Sequence, residues 1–279
     1  MTSEIDVLDR INAMLSQEEN TAPCKDYFTS DVNAACRKAM VDWCFIVCDS
    51  FEDLNRETVG IAMSILDRYL SSGKGKSAEA LRCKRRFQLA CITSFYVAVK
   101  ATESVAMGIE MLLKLCRGYY KENDIVDMEF DILTSLEWRV SLSTTTLLEY
   151  VRHFLQLLPQ WRDAADVILE NAMEHMDRAT SDSYFSRCKT SSVAIACFAG
   201  AMNDSIVLSP LEKEVLWNQL SRKLNYDIAS KEIRKVEQKL LAKPTSCEPR
   251  RQSRASLHRP NVILAGKQSS SPVSVLQVS

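Results

Sequence analysis

The chain has 279 residues, of which 46% are hydrophobic and only 7 are Gly and 7 are Pro. Gly and Pro average about 7% and 5% of protein residues and build tight turns and phosphate loops, so this composition excludes a hairpin-rich fold. The formal charge of −1 leaves no overall field that would draw the chain to nucleic acid or to an anionic membrane. We therefore expect an all-α protein whose partners are other proteins.

The amino-terminal part, residues 1–30, is predicted to hold one short helix and a linker. Ile5, Leu8, Ile11 and Leu15 recur at helical spacing, and Pro23 interrupts the polar stretch that follows. No uncharged apolar run reaches the roughly 18 residues of a membrane span, so we expect a soluble, intracellular protein with no membrane partner. The ten Cys form no CxxC pair, which favours small core residues in a reducing compartment.

Residues 31–141 are predicted to form a first helical domain. Its periodicity is clearest in the first helix, where apolar residues recur every three or four positions. The predicted helices are Val32–Phe51, Glu57–Ser71, Lys84–Ala101, Gly108–Tyr119 and Lys121–Leu136.

Residues 142–243 are predicted to form a second helical domain. The hydroxyl side chains of Ser143 to Thr146 are typical helix caps, and an apolar series begins at Leu147. The further predicted helices are Trp161–Thr180, Tyr184–Met202, Leu208–Leu220 and Ile228–Ala242. Five helices in each domain suggest a structural duplication. Residues 244–279 are rich in Ser, Arg and Pro with little apolar periodicity, which predicts a disordered tail.

No pattern in the chain indicates catalysis. The three His residues stand apart at 153, 175 and 258, and no HExxH, paired Cys, GxGxxG or GxxxxGK[ST] sequence occurs. We therefore expect no catalytic residues, no metal site and no cofactor, and we expect that the chain is not an enzyme.

Several charged residues fall on helix faces that should be buried. Glu129 lies within the apolar face of its predicted helix, Arg37 lies on the buried stripe of Val32–Phe51, and Asp67 borders the stripe of the next helix. Burying one such ion alone would cost several kcal/mol, so we expect Arg37 to pair with Asp67. Lys100 ends a helix that is apolar nearly all round. Internal salt bridges and functional contacts both remain open for these residues.

These residues lie in strings that resemble the cyclin box. The strings run from Cys36 to Trp43, from Ala62 to Leu70, from Phe87 to Leu89, from Val97 to Lys100 with Glu103, and from Asp127 to Glu129. They occur in the family's order and at nearly its spacing. The stretch from Ser191 to Cys197 and the two-domain layout also resemble the second cyclin fold, with the character of D-type cyclins.

The resemblance implies two consecutive five-helix cyclin folds and a regulatory subunit that binds and activates a cyclin-dependent protein kinase. A D-type character implies action at G1/S, in nucleus and cytoplasm, with kinase inhibitors and substrates as further partners. Lys100 and Glu129, together with Glu103, would contact the kinase. Arg37 and Asp67 match the family's internal ion pair, and Leu89 matches a core position beside the interface.

The resemblance also implies a substrate-docking groove for Arg-x-Leu motifs. Met40, Trp43 and Gln88 match the groove, and Ala39 matches it weakly through its apolar character. Ile46 stands where an acidic residue is usual, and no LxCxE segment occurs. Substrate docking is therefore expected to be weak or differently specific.

The segment 71–86 carries six basic residues against the single acid Glu79. It is longer than its counterpart in the family, and it could bind phosphorylated groups or an import receptor or remain a solvated loop. This segment also supports the alternative function, a cyclin-fold transcription-factor core or nucleic-acid-binding module. The net charge of −1 argues against that alternative, because such a role needs a broad basic face.

Overall fold

The structure is a computed structural model, which describes residues 3–21, 23–104, 107–140, 145–224, 227–228 and 230–242. These residues form twelve α-helices and no strand, which confirms the all-α class. The predicted tail at 244–279 and the predicted domain boundary near 142 lie outside the described residues. The helices are α1 Glu4–Glu19, α2 Ala34–Ser50, α3 Glu57–Ser72, α4 Ser77–Ala80, α5 Lys84–Thr102, α6 Ile109–Leu115, α7 Glu122–Ser135, α8 Leu147–Gln156, α9 Arg162–Ser181, α10 Thr190–Asp204, α11 Pro210–Lys223 and α12 Lys231–Leu241.

Two helices, α5 and α10, are the centres of two separate cores. Every residue from Phe87 to Val99 and from Ser191 to Met202 is buried, as expected of helices that are apolar nearly all round. Helix α5 packs against α3 and α7, whereas α10 packs against α8, α9 and α12. The chain therefore builds two lobes, each wrapped around one central helix.

Helix α1 packs on the second lobe although it precedes the first in the chain. Val7 and Ile11 are buried in the second core, and α1 contacts α8. Near the end of α1, the Glu18 carboxylate accepts hydrogen bonds from the backbone N–H and the hydroxyl of Ser191, at 3.0 and 2.5 Å. An anion at a helix N-terminus compensates the unpaired N–H groups there, so Glu18 caps α10 from another helix.

Several predicted boundaries differ from the structure. Helix α10 begins at Thr190 rather than at Tyr184. Glu18 of α1 caps this start, because no side chain at the N-cap position does so. Helix α6 ends at Leu115 rather than at Tyr119, because Arg117 and Gly118 adopt left-handed backbone angles that end the helix. The short helix α4 lies in the segment predicted as a loop.

The two lobes meet where α2 and α3 pack against α9. Arg56 donates two hydrogen bonds to the Asp177 carboxylate across this junction, at 3.0 and 2.8 Å. The Thr146 hydroxyl, which also caps α8, donates to Glu57 at 2.5 Å. A cavity of about 180 Å³ remains at the junction, lined on its apolar side by Met63 among others. Within the described ranges, no helix combines the length and apolarity that a membrane crossing requires.

Candidate functional site

Lys100 and Glu129 form an ion pair on the surface of the first lobe. Lys100 lies in the last turn of α5 and Glu129 in the middle of α7, and Nζ donates to Oε1. The Lys100 ammonium also lies 4.4 Å from the centre of the Tyr96 ring, a cation–π contact. The Lys100 side chain is 37% exposed and that of Glu129 is 18% exposed. Both charged groups are therefore fixed in place yet within reach of a partner.

Exposed apolar side chains accompany this pair along α7 and just beyond it. Val126 is 47% exposed and Phe130 63%, and these residues lie one helical turn apart beside Glu129. Trp138, just after α7, is also 63% exposed. Large apolar side chains grouped on a surface are typical of protein contact sites. Sequence reasoning missed them, although Val126 and Phe130 stand out as apolar residues on the otherwise acidic face of α7.

Glu103, the third predicted kinase contact, serves contacts within the chain. Its two carboxylate oxygens accept hydrogen bonds from the backbone and side-chain N–H groups of Asn55, both at 2.9 Å, and one also accepts from the Thr58 hydroxyl. An anion at this place suits the start of α3, where backbone N–H groups are unpaired. Glu103 therefore ties the end of α5 to the start of α3, and its kinase contact stays a prediction.

The structure brings Arg37 and Asp67 together in a two-pronged salt bridge. Arg37 Nε lies 2.9 Å from Oδ1, and Nη2 lies 2.8 Å from Oδ2 of Asp67, and both residues are 2% exposed. The Tyr27 hydroxyl donates to the same Oδ1 at 2.5 Å, and Arg37 Nη1 donates to the Thr180 carbonyl of α9 at 2.7 Å. The pair therefore satisfies its charges internally and also joins the two lobes.

The electrostatics of this cluster keep Arg37 charged. Burial alone would lower the pKa of the guanidinium, but the neighbouring Asp67 carboxylate outweighs burial and raises that pKa above its ordinary value. Burial, reinforced by the Asp67 charge, raises the pKa of Tyr27 well above its usual range. Burial also raises the pKa of the nearby Cys24 thiol to about 11, so this thiol stays protonated.

The residues of the predicted docking groove lie mostly inside the first core. Met40 is 0% exposed, Trp43 1% and Gln88 3%, while Ala39 is half-buried. The Trp43 ring packs edge-on against Phe95, and the Gln88 side chain accepts a hydrogen bond from the Tyr120 hydroxyl at 2.7 Å. The core thus holds three of these side chains, and the docking groove stays a prediction. Leu89, the predicted core position, is buried at 9% exposure, and Ile46 is exposed.

No three His, Cys, Asp or Glu side chains of the described residues come together as metal ligands. The acidic residues of the site accept hydrogen bonds from Lys, Arg, Asn, Thr and Tyr donors, as the pairs above show. The chemistry that this surface offers is charge-assisted hydrogen bonding and apolar contact.

Comparisons with known proteins match this architecture. Residues 9–141 match the family model described as cyclin, N-terminal domain. The human G1/S-specific cyclin-D1 is 28% identical over 206 residues, which cover 72% of this chain and 66% of the human protein. The zebrafish G1/S-specific cyclin-D1 is 27% identical over 226 residues, which cover 78% of this chain and 74% of the zebrafish protein. The chain thus spans about two thirds to three quarters of these relatives' length.

A solved structure shares the fold across both lobes. The viral cyclin from herpesvirus saimiri superposes with a TM-score of 0.64 at 19% identity, covering 82% of this chain and 96% of the viral one. The fold is therefore that of a cyclin, a class of cell-cycle regulatory subunits rather than enzymes. Residues 9–141 therefore contain a cyclin box, and the relatives named above are of the D type.

Proposed function

We propose that this chain is the regulatory subunit of a cyclin-dependent serine/threonine protein kinase and that it acts in cell-cycle progression at G1/S. The observation that carries the proposal is the surface ion pair of Lys100 and Glu129, bordered by exposed apolar side chains of α7. The cyclin box in residues 9–141 and the names of the D-type relatives support it.

The kinase contact follows from the chemistry of this pair. The Lys100 ammonium has three donor hydrogens and the Glu129 carboxylate has several acceptor positions, so each can keep its present partner and bind another group. Such contacts would hold the C-helix region of the kinase inward, which lets the kinase's own Lys–Glu pair form. The chain would thereby shift the kinase from inactive to active states, and the kinase would perform the chemistry.

The proposal is tested with the double variant Lys100→Ala, Glu129→Ala against a panel of purified cyclin-dependent kinases. Charge-assisted hydrogen bonds contribute about 1.5 to 3 kcal/mol each, so we expect binding to weaken by about tenfold or more. Affinity is measured by calorimetry, and activation by phosphate transfer to a protein substrate at fixed kinase concentration.

The matched control is Lys38→Ala, Asp42→Ala, which removes an exposed ion pair of 2.7 Å from α2 of the same lobe. This control should bind and activate like the unaltered chain. If the Lys100, Glu129 variant also binds and activates normally, the interface is wrongly placed. If the unaltered chain activates no kinase but binds duplex DNA tightly with a steep salt dependence, the alternative nucleic-acid function is favoured instead.

Localisation to nucleus and cytoplasm belongs to the same proposal, as do kinase inhibitors and substrates as further partners. These expectations rest on the family resemblance. Fluorescence imaging of the tagged chain, and identification of proteins recovered with it and its kinase, would test them.

A further inference from the structure

The basic residues of the segment 71–86 do not all share one environment. Towards the start of the segment, Lys74 pairs with Glu137 at 2.9 Å, and Arg86 at its end pairs with Glu79 at 3.0 Å. The exposed Arg82 side chain makes no hydrogen bond or ion pair with any described residue. Positive charge is therefore concentrated where α4 ends and α5 begins.

The fold holds this segment in a defined shape. Helix α4 is anchored by Ser77 and Ala80, which are completely buried. The Asp131 carboxylate accepts the Lys76 backbone N–H at 2.9 Å, and a Cβ at Gly75 would lie only 2.4 Å from Asp131. The Thr29 hydroxyl donates to the Leu81 carbonyl at 2.7 Å. A segment held at so many points presents its charges without a large loss of conformational entropy on binding.

Arg85 is held in place by two tyrosines. Its guanidinium lies 4.8 Å from the Tyr119 ring centre and 5.8 Å from that of Tyr120, and it donates to the Tyr119 carbonyl at 3.4 Å. The Tyr120 hydroxyl oxygen, which donates to Gln88, also lies 2.9 Å from the Arg85 carbonyl oxygen. An exposed, pre-positioned guanidinium retains donors for a bidentate contact with a phosphate or carboxylate.

The tyrosine contact brings a second basic segment to the same place. Arg117 and Lys121 are exposed and lie two residues before and after Tyr119, in the turn between α6 and α7. The basic surface therefore comprises Arg82, Lys84, Arg85, Arg117 and Lys121.

Acidic residues limit what this surface can hold. Glu122 is exposed and follows Lys121 directly, and Asp127 is exposed further along α7. A long duplex laid over the basic surface would approach these carboxylates, whereas a short peptide would not. Like-charge contacts of this kind select against the wrong partner. The surface is thus matched to a compact anionic segment rather than to an extended polyanion.

The geometry points to the basic surface as a docking site for a short, acidic, phosphorylated peptide segment of a partner protein. The proposal does not depend on kinase activation. Its chemistry is charge complementarity, with Arg85 as the fixed contact and the other cations around it.

The test measures fluorescence anisotropy of a labelled peptide whose phosphoserine is flanked by Glu and Asp, titrated with the full chain. The unphosphorylated peptide and a short duplex DNA serve as comparison probes. We expect the phosphopeptide to bind most tightly and the double variant Arg82→Glu, Arg85→Glu to bind it about tenfold or more weakly, since two favourable charge contacts become repulsive.

The matched control is Arg234→Glu, Lys235→Glu, which makes the same change of charge at exposed positions on α12. It should bind the phosphopeptide like the unaltered chain. Arg82→Glu alone keeps the Arg85 stacking, so weaker binding by this folded variant also supports the site. Equal binding by all variants, no preference for the phosphorylated peptide, or tighter binding of the DNA would each overturn the proposal.

Discussion

Two ion pairs of the first lobe have the same kind of chemistry but opposite surroundings. Arg37 and Asp67 lie between α2 and α3 at the lobe junction with side chains 3% exposed, whereas Lys100 and Glu129 lie on the outer surface. The buried pair has its hydrogen-bonding positions occupied by Tyr27 and Thr180, while the surface pair is bordered by exposed apolar groups. Burial therefore decides how much of an ion pair remains accessible to a partner molecule.

The Arg37→Ala variant is the strongest test of the difference between the buried and the surface ion pair. This change leaves the Asp67 carboxylate buried with the Tyr27 hydroxyl as its remaining donor, and it removes the hydrogen bond to Thr180 of the second lobe. Removing one partner of a buried ion pair costs about 3 to 5 kcal/mol, so we expect a loss of that size in the free energy of unfolding. Urea denaturation followed by circular dichroism measures it.

Lys38→Ala provides the control for this change, because Lys38 is the next residue of α2 but is 48% exposed at its side chain. We expect its effect to stay within about 0.5 kcal/mol. An Arg37→Ala variant that unfolds at the same urea concentration as the unaltered chain would show that the buried pair does not stabilise the fold.

The pair of His175 and Asp204 in the second lobe is intermediate between these two ion pairs, because His175 is buried and Asp204 is exposed. His175 Nε2 lies 2.9 Å from Asp204, its side chain is 1% exposed, and its Nδ1 has no partner among the described residues. Burial, together with the Arg178 charge, lowers the pKa of His175 despite the opposing effects of Asp204 and Glu174. A second ring proton would have no acceptor, so the neutral ring is favoured.

The sign of the pH dependence follows from that lowered pKa. Below about pH 6.5 the unfolded chain binds a proton at His175 more readily than the folded chain does. The contribution of His175 to the free energy of unfolding is therefore complete above this pH and falls as the solution is acidified. We expect His175→Gln to flatten this part of the pH profile of urea midpoints. Profiles that run parallel for both chains between neutral pH and pH 5 would contradict the prediction.

We expect the smallest loss in the free energy of unfolding for the Lys100→Ala variant. An exposed ion pair contributes about 0 to 1 kcal/mol, and added salt should remove part of even this difference. Thermal melting in low and high salt measures it. A loss as large as that of Arg37→Ala would mean that the surface pair, too, is chiefly structural, and the distinction between the two pairs would fail.

Local periodicity predicted most helices and the buried pair of Arg37 with Asp67, because a helix and a charge on its apolar face are both visible within one stretch of sequence. The face of α7 combines buried Ile125, Met128 and Ile132 with Glu129, and Arg37 interrupts an apolar stripe in the same way. Such a charge within a stripe reveals that it needs a partner. It does not reveal which residue that partner is: in the structure Arg37 pairs with Asp67 and Glu129 with Lys100.

Other parts of the site left no local signal. Glu103 accepts hydrogen bonds from Asn55 and Thr58 at the start of α3, a contact that depends on how α3 and α5 cross. The family resemblance assigns Met40 and Trp43 to a docking groove, and their exposure depends on how tightly α2 and α5 pack. Exposure is a property of the assembled core, so a single helix pattern could not predict it.

The sequence by itself determined the helical class, the two central apolar helices and the positions where charges must find partners, because these follow from spacing along one helix. Only the tertiary structure decided which atoms meet: Glu18 of α1 with the start of α10, and Arg37 with Thr180 of the second lobe. Contacts between residues far apart in the chain arise when separate apolar faces pack together, and short-range sequence rules carry no information about that packing.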